Sequence, residues 1–187
     1  NKTRGHLYEL LAQRITGHVE PHFVSDDMLR GQEDEIEAVN LYNKHFGIVD
    51  QIGFITNWKW GFMLGYSPDG IVGDDGLIEC KSRRQKYQVQ TIIEYLPNEQ
   101  ISTEYMIQVQ TGLLVSEREW CDLVSYSGGL PMTVVRVFPD ERIQTGILEA
   151  AASFEAQIAA KRAEFDAIIA NNPKLIPTER RIEQEMY

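Results

Sequence analysis

The sequence predicts an α/β fold, a central mixed sheet flanked by helices, and three features carry that expectation. Segments with apolar residues at helical spacing are interleaved with short β-branched and aromatic stretches. The stretch from Ser67 to Lys81 reads as a hairpin, and one long helical row of apolar residues closes the periodic part of the chain. At 187 residues the chain suits one sizeable core and is short for two. Residues 1–172 are therefore read as a single domain, and 173–187, with Pro177 and mixed charges, as a tail that is loose or packs against a partner subunit.

The first helix is expected from about Arg4 to Ile15, where Leu7, Leu10, Leu11 and Ile15 share a face and Gly17 ends it. A second runs from about Met28 to Phe46 on the row Glu35, Val39, Tyr42 and Phe46, with Gly47 as C-cap. Ile48 to Trp60 is strand-like around a tight turn at Gly53. Next come two strands, Ser67 to Gly73 and Leu77 to Lys81, joined through Asp74-Asp75-Gly76. If 73 faces 77, then 71 faces 79 and 69 faces 81, and the two-residue alternation turns all six to one side. Asp69, Glu79 and Lys81 then converge.

Ser102 to Val115 is the third helix, with Ser102 as N-cap and Glu104 in its first turn. Strands at Trp120 to Tyr126 and Thr133 to Phe138 flank a Gly128-Gly129 turn and extend the sheet. From Asp140 to about Asn172, the row Ile147, Ala151, Phe154, Ile158, Phe165 and Ile169 marks a long last helix.

Composition narrows the function. Hydrophobic residues at 43% and charged residues at 25% are ordinary for a globular protein. No apolar run reaches the roughly 18 residues of a membrane span, and no secretory leader pattern is visible, so a cytoplasmic location is expected. A formal charge of −10 disfavours a broad nonspecific nucleic-acid surface, because phosphate affinity is drawn from Lys and Arg. Any DNA contact must be local, and the densest basic stretch is Lys81-Ser-Arg-Arg-Gln-Lys86. Cys80 and Cys121 lack metal-ligand spacing and read as free thiols. His18 and His22 are four apart, but Pro21 between them breaks helical metal geometry. Trp58 and Trp60 are core or interface residues unless they stack on bases.

Hydrolysis of a phosphodiester needs an attacking water, neutralised phosphate charge and a stabilised leaving oxygen, and a divalent ion supplies all three. Magnesium takes oxygen ligands, so Asp69 and Glu79 fit, and the Cys80 carbonyl lies between the same-face residues 79 and 81. Lys81 is placed to orient the water or take its proton. Glu35 heads an otherwise apolar row, where a carboxylate is costly unless a cation pairs with it. Gln108 and Tyr105 are neutral polar groups suited to a water or phosphate oxygen. The bland reading is that Pro-Asp-Gly is a common turn and that acid-x-lysine is common on solvated strands. The apolar setting of Leu77-Ile-Glu-Cys-Lys81 weighs against it.

Five features in order resemble the lambda-exonuclease-like viral recombinase nucleases, a branch of the PD-(D/E)XK superfamily. They are Gly31-Gln-Glu-Asp-Glu35, Ser67-Pro-Asp-Gly70, Glu79-Cys-Lys81, Gln108-Val-Gln110 preceded by Tyr105, and the long last helix. The resemblance spans roughly Gly5 to Ile169 and implies a restriction-endonuclease-like core. It implies that Glu35, Asp69, Glu79 and the Cys80 carbonyl coordinate magnesium, two ions per site with manganese as a substitute, and that Lys81 and Gln108 complete the catalytic group. The implied activity is 5′-to-3′ digestion of one strand of linear duplex DNA in phage-type recombination, within a bacterial cell. The implied partners are two further copies in a homotrimeric ring and a single-strand annealing protein, with no membrane. Alternatives are an endonuclease of the same superfamily and a non-catalytic DNA-binding or assembly module. The family's opening segment, an arginine and small hydroxyls that receive a 5′ phosphate, has no visible counterpart, so no such residue is assigned there. Arg83, Arg84 and Tyr105 are the phosphate contacts expected here.

Overall fold

A computed structural model of the chain describes residues 2–21 and 25–180. His22 lies outside them. The described residues fall into two compact units, 2–20 with 153–180, and those between 21 and 152. The first unit holds helix α1 (Lys2–Thr16) and most of α5 (Glu141–Asn171). There Leu7 and Leu11 bury themselves with Ile158, and Arg14 makes a two-pronged bond to Glu155 at 2.7 and 2.6 Å.

The second unit carries the sheet. Its strands are β1 (Val49–Asp50), β2 (Ile55–Asn57), β3 (Leu64–Tyr66), β4 (Gly70–Val72), β5 (Gly76–Ser82), β6 (Trp120–Tyr126) and β7 (Thr133–Val137). Five of them run in the order β1-β4-β5-β6-β7, while β2 and β3 pair separately. Only β5 and β6 are parallel, so the sheet is mixed, as expected. A parallel step needs a crossover, and this one contains α3 (Gln85–Gln90), two further short helical turns, and α4 (Thr103–Ser116).

Side chains alternate across the strands. Leu77, Cys121, Leu123 and Val135 face α4, packing on Val109 and Leu113. Ile78 and Val124 face α2 (Asp26–His45), packing on Ala38 and Tyr42. The sheet is covered on both faces, and Leu77, Ile78, Val109 and Val124 are fully buried. Each such side chain contributes about 1.5–3 kcal/mol by leaving water.

Several expectations are corrected. The hairpin register differs: Ile71 pairs with Leu77 and Gly70 with Ile78, so Ile71 does not face Glu79. The loop is Gly73-Asp74-Asp75, with Gly73 in the left-handed region at φ +57°, a conformation that glycine adopts without strain. The shift is two residues, so the face of every side chain is preserved. Ile48 to Trp60 is not one strand region around a turn; its two short strands pair with different partners, β1 with β4 and β2 with β3. Helix α2 begins two residues earlier than expected because Ser25 caps it, accepting from Met28 N. Ser102 stands at the cap of α4, but its side chain makes no cap bond. Among the described residues no helix is long and apolar enough to cross a membrane.

Candidate active site

Tyr66 at the end of β3, Asp69 just before β4, Glu79 and Lys81 on β5, Gln108 on α4 and Glu35 on α2 meet at one region of the second unit. Glu79 is 3% exposed, and a carboxylate so buried must be surrounded by donors. Lys81 Nζ donates to Glu79 Oε1 at 2.6 Å, and Gln108 Nε2 donates to the same oxygen at 2.6 Å. Lys81 also donates to Gln108 Oε1 at 2.8 Å, which closes a triangle. The Tyr66 hydroxyl donates to the second oxygen, Oε2.

Tyr66 was not anticipated from the sequence. Its signal is faint: it shares an apolar face with Leu64, three residues before Asp69. Its place depends on Gly112 of α4, where a Cβ would come within 2.5 Å of the Tyr66 ring.

Asp69 lies beyond the last paired residue of β4, and its Oδ2 accepts the Cys80 backbone N–H at 2.5 Å. That bond fastens the loop to β5. Burial, then repulsion from Glu79, pushes the Asp69 carboxyl up to about 7, although the Cys80 N–H pulls the other way. Glu35 is half-buried, and its carboxyl is raised first by burial and then by Glu79, with Lys81 opposing. Burial, reinforced by Glu79, raises the Tyr66 phenol far above its ordinary range, so it stays a donor. The Cys80 and Cys121 thiols are free and are likewise raised by burial.

Three carboxylates thus influence one another around a single ammonium. Among the described residues no three His, Cys, Asp or Glu groups close around a common point as they stand. The donor chemistry nonetheless fits a hard divalent cation: the groups are carboxylate oxygens, and Asp69 and Glu35 are raised first by burial and then by the charge of Glu79.

The basic residues past β5 are engaged with partners. Arg83 donates to Glu104 at 2.9 Å and to the Tyr105 hydroxyl, and its guanidinium lies 5.1 Å and 5.2 Å from the ring centres of Tyr87 and Tyr105. Its Nε is buried and has no partner among the described residues. Arg84 is exposed and pairs with Asp27 at 3.0 Å. With Arg30, Asp34, Lys86 and Ser127 they line one open cleft. Arg30 was also unanticipated; it donates to Ser82, whose hydroxyl in turn donates to Asp34. Asp74 and Asp75 sit in the exposed turn, where the Asp75 carbonyl accepts from Glu119 N at 2.9 Å, so they belong to the turn and not to this group. Trp58 is 66% exposed, at the end of β2 away from Tyr66.

Residues 2–119 match the family model described as a YqaJ-like viral recombinase domain. A search of curated proteins found no match. Among solved structures, the chain is similar to an alkaline exonuclease (LHK-Exo) from Laribacter hongkongensis, with 31% identity and a TM-score of 0.78 over 89% of this chain and 84% of that one. The complex of LHK-Exo with dAMP gives 31% identity and a TM-score of 0.77, covering 89% and 85%. A phage-related exonuclease from Haemophilus somnus shares the fold at 12% identity and a TM-score of 0.54, covering 89% and 82%. The resemblance to viral recombinase nucleases therefore holds, and the chain belongs to the YqaJ-like viral recombinase domain family.

Proposed function

We propose that the protein is a magnesium-dependent DNA exonuclease that digests one strand of linear duplex from 5′ to 3′ in phage-type homologous recombination. The observation that carries this reading is the buried Glu79 held by Lys81, Gln108 and Tyr66 beside an Asp69 whose proton affinity is raised. The likeness to an alkaline exonuclease at 31% identity supports the same activity.

In this reading Asp69, Glu79, the Cys80 carbonyl and Glu35 hold magnesium, two ions per site, with manganese able to replace it. A divalent metal held there would supply charge neutralisation at the scissile phosphate and would acidify a water. Lys81 orients the attacking water and takes or shares its proton, and Gln108 fixes the direction of the ammonium by accepting from it. Tyr66 holds the rotamer of Glu79 from the opposite side. Arg83, Arg84 and Tyr105 take the flanking phosphates, with Glu104 and Asp27 giving way as the strand enters. Residues 1–172 make up the nuclease domain, and 173–187 contribute to contacts in a homotrimer. A single-strand annealing protein receives the product.

The test compares linear duplex bearing 5′ phosphate, linear duplex bearing 5′ hydroxyl, and covalently closed circles, each with and without magnesium. Magnesium-dependent release of nucleotides from the 5′-phosphorylated linear duplex, lost in Lys81→Ala, is the expected result. Nicking of closed circles would instead make the protein an endonuclease, and no release by the intact chain would sink the enzymatic reading.

A further inference from the structure

On the α4 face, strand register lines residues into rows across β5, β6 and β7. Leu77, Cys121 and Val137 form one row, and Glu79, Leu123 and Val135 the next. The third row is Lys81, Ser125 and Thr133, and its polarity is unexplained by the core beneath it. Thr133 is 5% exposed, and its Oγ1 is buried without a partner among the described residues. A buried hydroxyl without a partner is rare and costly, so it calls for an explanation.

The neighbouring groups fix where a partner must be. Gln88 uses its amide nitrogen on the carbonyls of Ser125 and Pro131, at 3.1 and 2.7 Å, so its oxygen accepts the Ser125 hydroxyl proton at 2.5 Å. Ser125 Oγ is left with free lone pairs. Lys81 has three N–H donors, of which Glu79 and Gln108 take two. Lys81, Ser125 and Thr133 line a common cavity whose remaining wall is mixed, including Leu123, Val135 and Tyr105, and its volume is about 20 Å³. A single water needs roughly 10–15 Å³ and two to four polar partners.

We propose that this cavity holds one ordered water, which accepts from Lys81 Nζ and from the Thr133 hydroxyl and donates to Ser125 Oγ. Thr133 is then a positioning residue: through the water it holds the third N–H of an ammonium that already bonds Glu79 and Gln108 and lies 5.3 Å from the Tyr105 ring centre. The role assigned to Lys81 rests on the nuclease reading, whereas the water itself rests on the cavity and its orphaned hydroxyl.

Crystallography, melting and kinetics on the full chain with Thr133→Val and Thr133→Ser test both parts. The expected result is density for one water within hydrogen-bond reach of Lys81 Nζ and Thr133 Oγ1, missing in Thr133→Val. That variant should melt lower and lose about two- to tenfold in kcat, the weight of one hydrogen bond, with KM for duplex DNA unchanged. Thr133→Ser should restore all three. A cavity without density, together with a Thr133→Val that melts higher because an unpaired hydroxyl has been removed, overturns the proposal. A water that is present while kcat in Thr133→Val stays at the wild-type value overturns the positioning role. A wild type without nuclease activity overturns that role together with the nuclease reading, so the two failures are distinguishable.

Discussion

Glu79 and Asp122 are carboxylates buried to almost the same depth, 3% and 2% exposed, on neighbouring strands of one sheet. They face opposite sides, because Asp122 pairs with Ile78 and Glu79 with Leu123. Asp122 receives both prongs of Arg136 at 2.8 Å and the Tyr42 hydroxyl at 2.6 Å, so one cation meets one anion. Glu79 shares a single ammonium with Asp69 and Glu35, whose carboxyls are both raised in part by its charge. Equal burial thus has two meanings. A matched pair fixes a structure, whereas carboxylates that share one ammonium are the group to which the proposed reading assigns a further cation.

The contrast is broken most sharply by removing each cation in turn. Lys81→Ala should lower nuclease activity by about 10²–10⁴-fold, the range of a lost acid–base group, while the protein still folds, as circular dichroism would report. Arg136→Ala should reverse that pattern. Its cost to stability is about 3 kcal/mol in denaturant unfolding, the low end for a broken buried pair because Arg136 is half-exposed. Activity per folded molecule should remain near that of the wild type. If both variants lose stability and activity in parallel, the two carboxylates do not differ in kind.

A smaller effect is expected at Gly112→Ala. The added methyl meets the Tyr66 ring at 2.5 Å, which overpacks the core at about 1–3 kcal/mol in thermal or denaturant unfolding. It should also draw the hydroxyl from Glu79, lowering kcat more than the melting shift accounts for.

The last effect is the dependence on pH. The Asp69 carboxyl has an ordinary value of 3.8 and is pushed up to about 7 on folding. Between those values the folded chain keeps a proton that the unfolded chain has released, so stability from this group is greatest at low pH and declines as pH rises through about 7. Metal-free protein should show that decline in melting temperature, and Asp69→Asn should flatten it. Added magnesium should raise the melting temperature more at about pH 8 than at about pH 5.5, because the ion displaces the proton.

Much of the site was legible because strand alternation is insensitive to a two-residue error. The glycines at 73 and 76 mark the turn, but nothing local says which of them turns left-handed, so the register was misread while Asp69, Glu79 and Lys81 kept a common face. Glu35 was legible as a carboxylate out of place on an apolar row. Tyr66 and the trio of Tyr42, Asp122 and Arg136 were not, because their partners are 13 to 80 residues away and a hydroxyl on an aromatic residue leaves no periodic trace. Helix α3 was missed for a different reason: six residues are too few to display a period.

The bond from the Cys80 N–H to Asp69 carries a consequence for how this fold ages once its chemistry is no longer needed. Asp69 takes up a strand donor past the end of the β4–β5 ladder, so an alanine there leaves a backbone group without its acceptor and loosens the hairpin. Among the described residues the Lys81 side chain bonds only the side chains of Glu79 and Gln108. If its role is the catalytic one proposed, a descendant that abandons nuclease chemistry would shed position 81 first and keep an acceptor at 69, so an aspartate or asparagine there without the downstream lysine would mark an inactive relative.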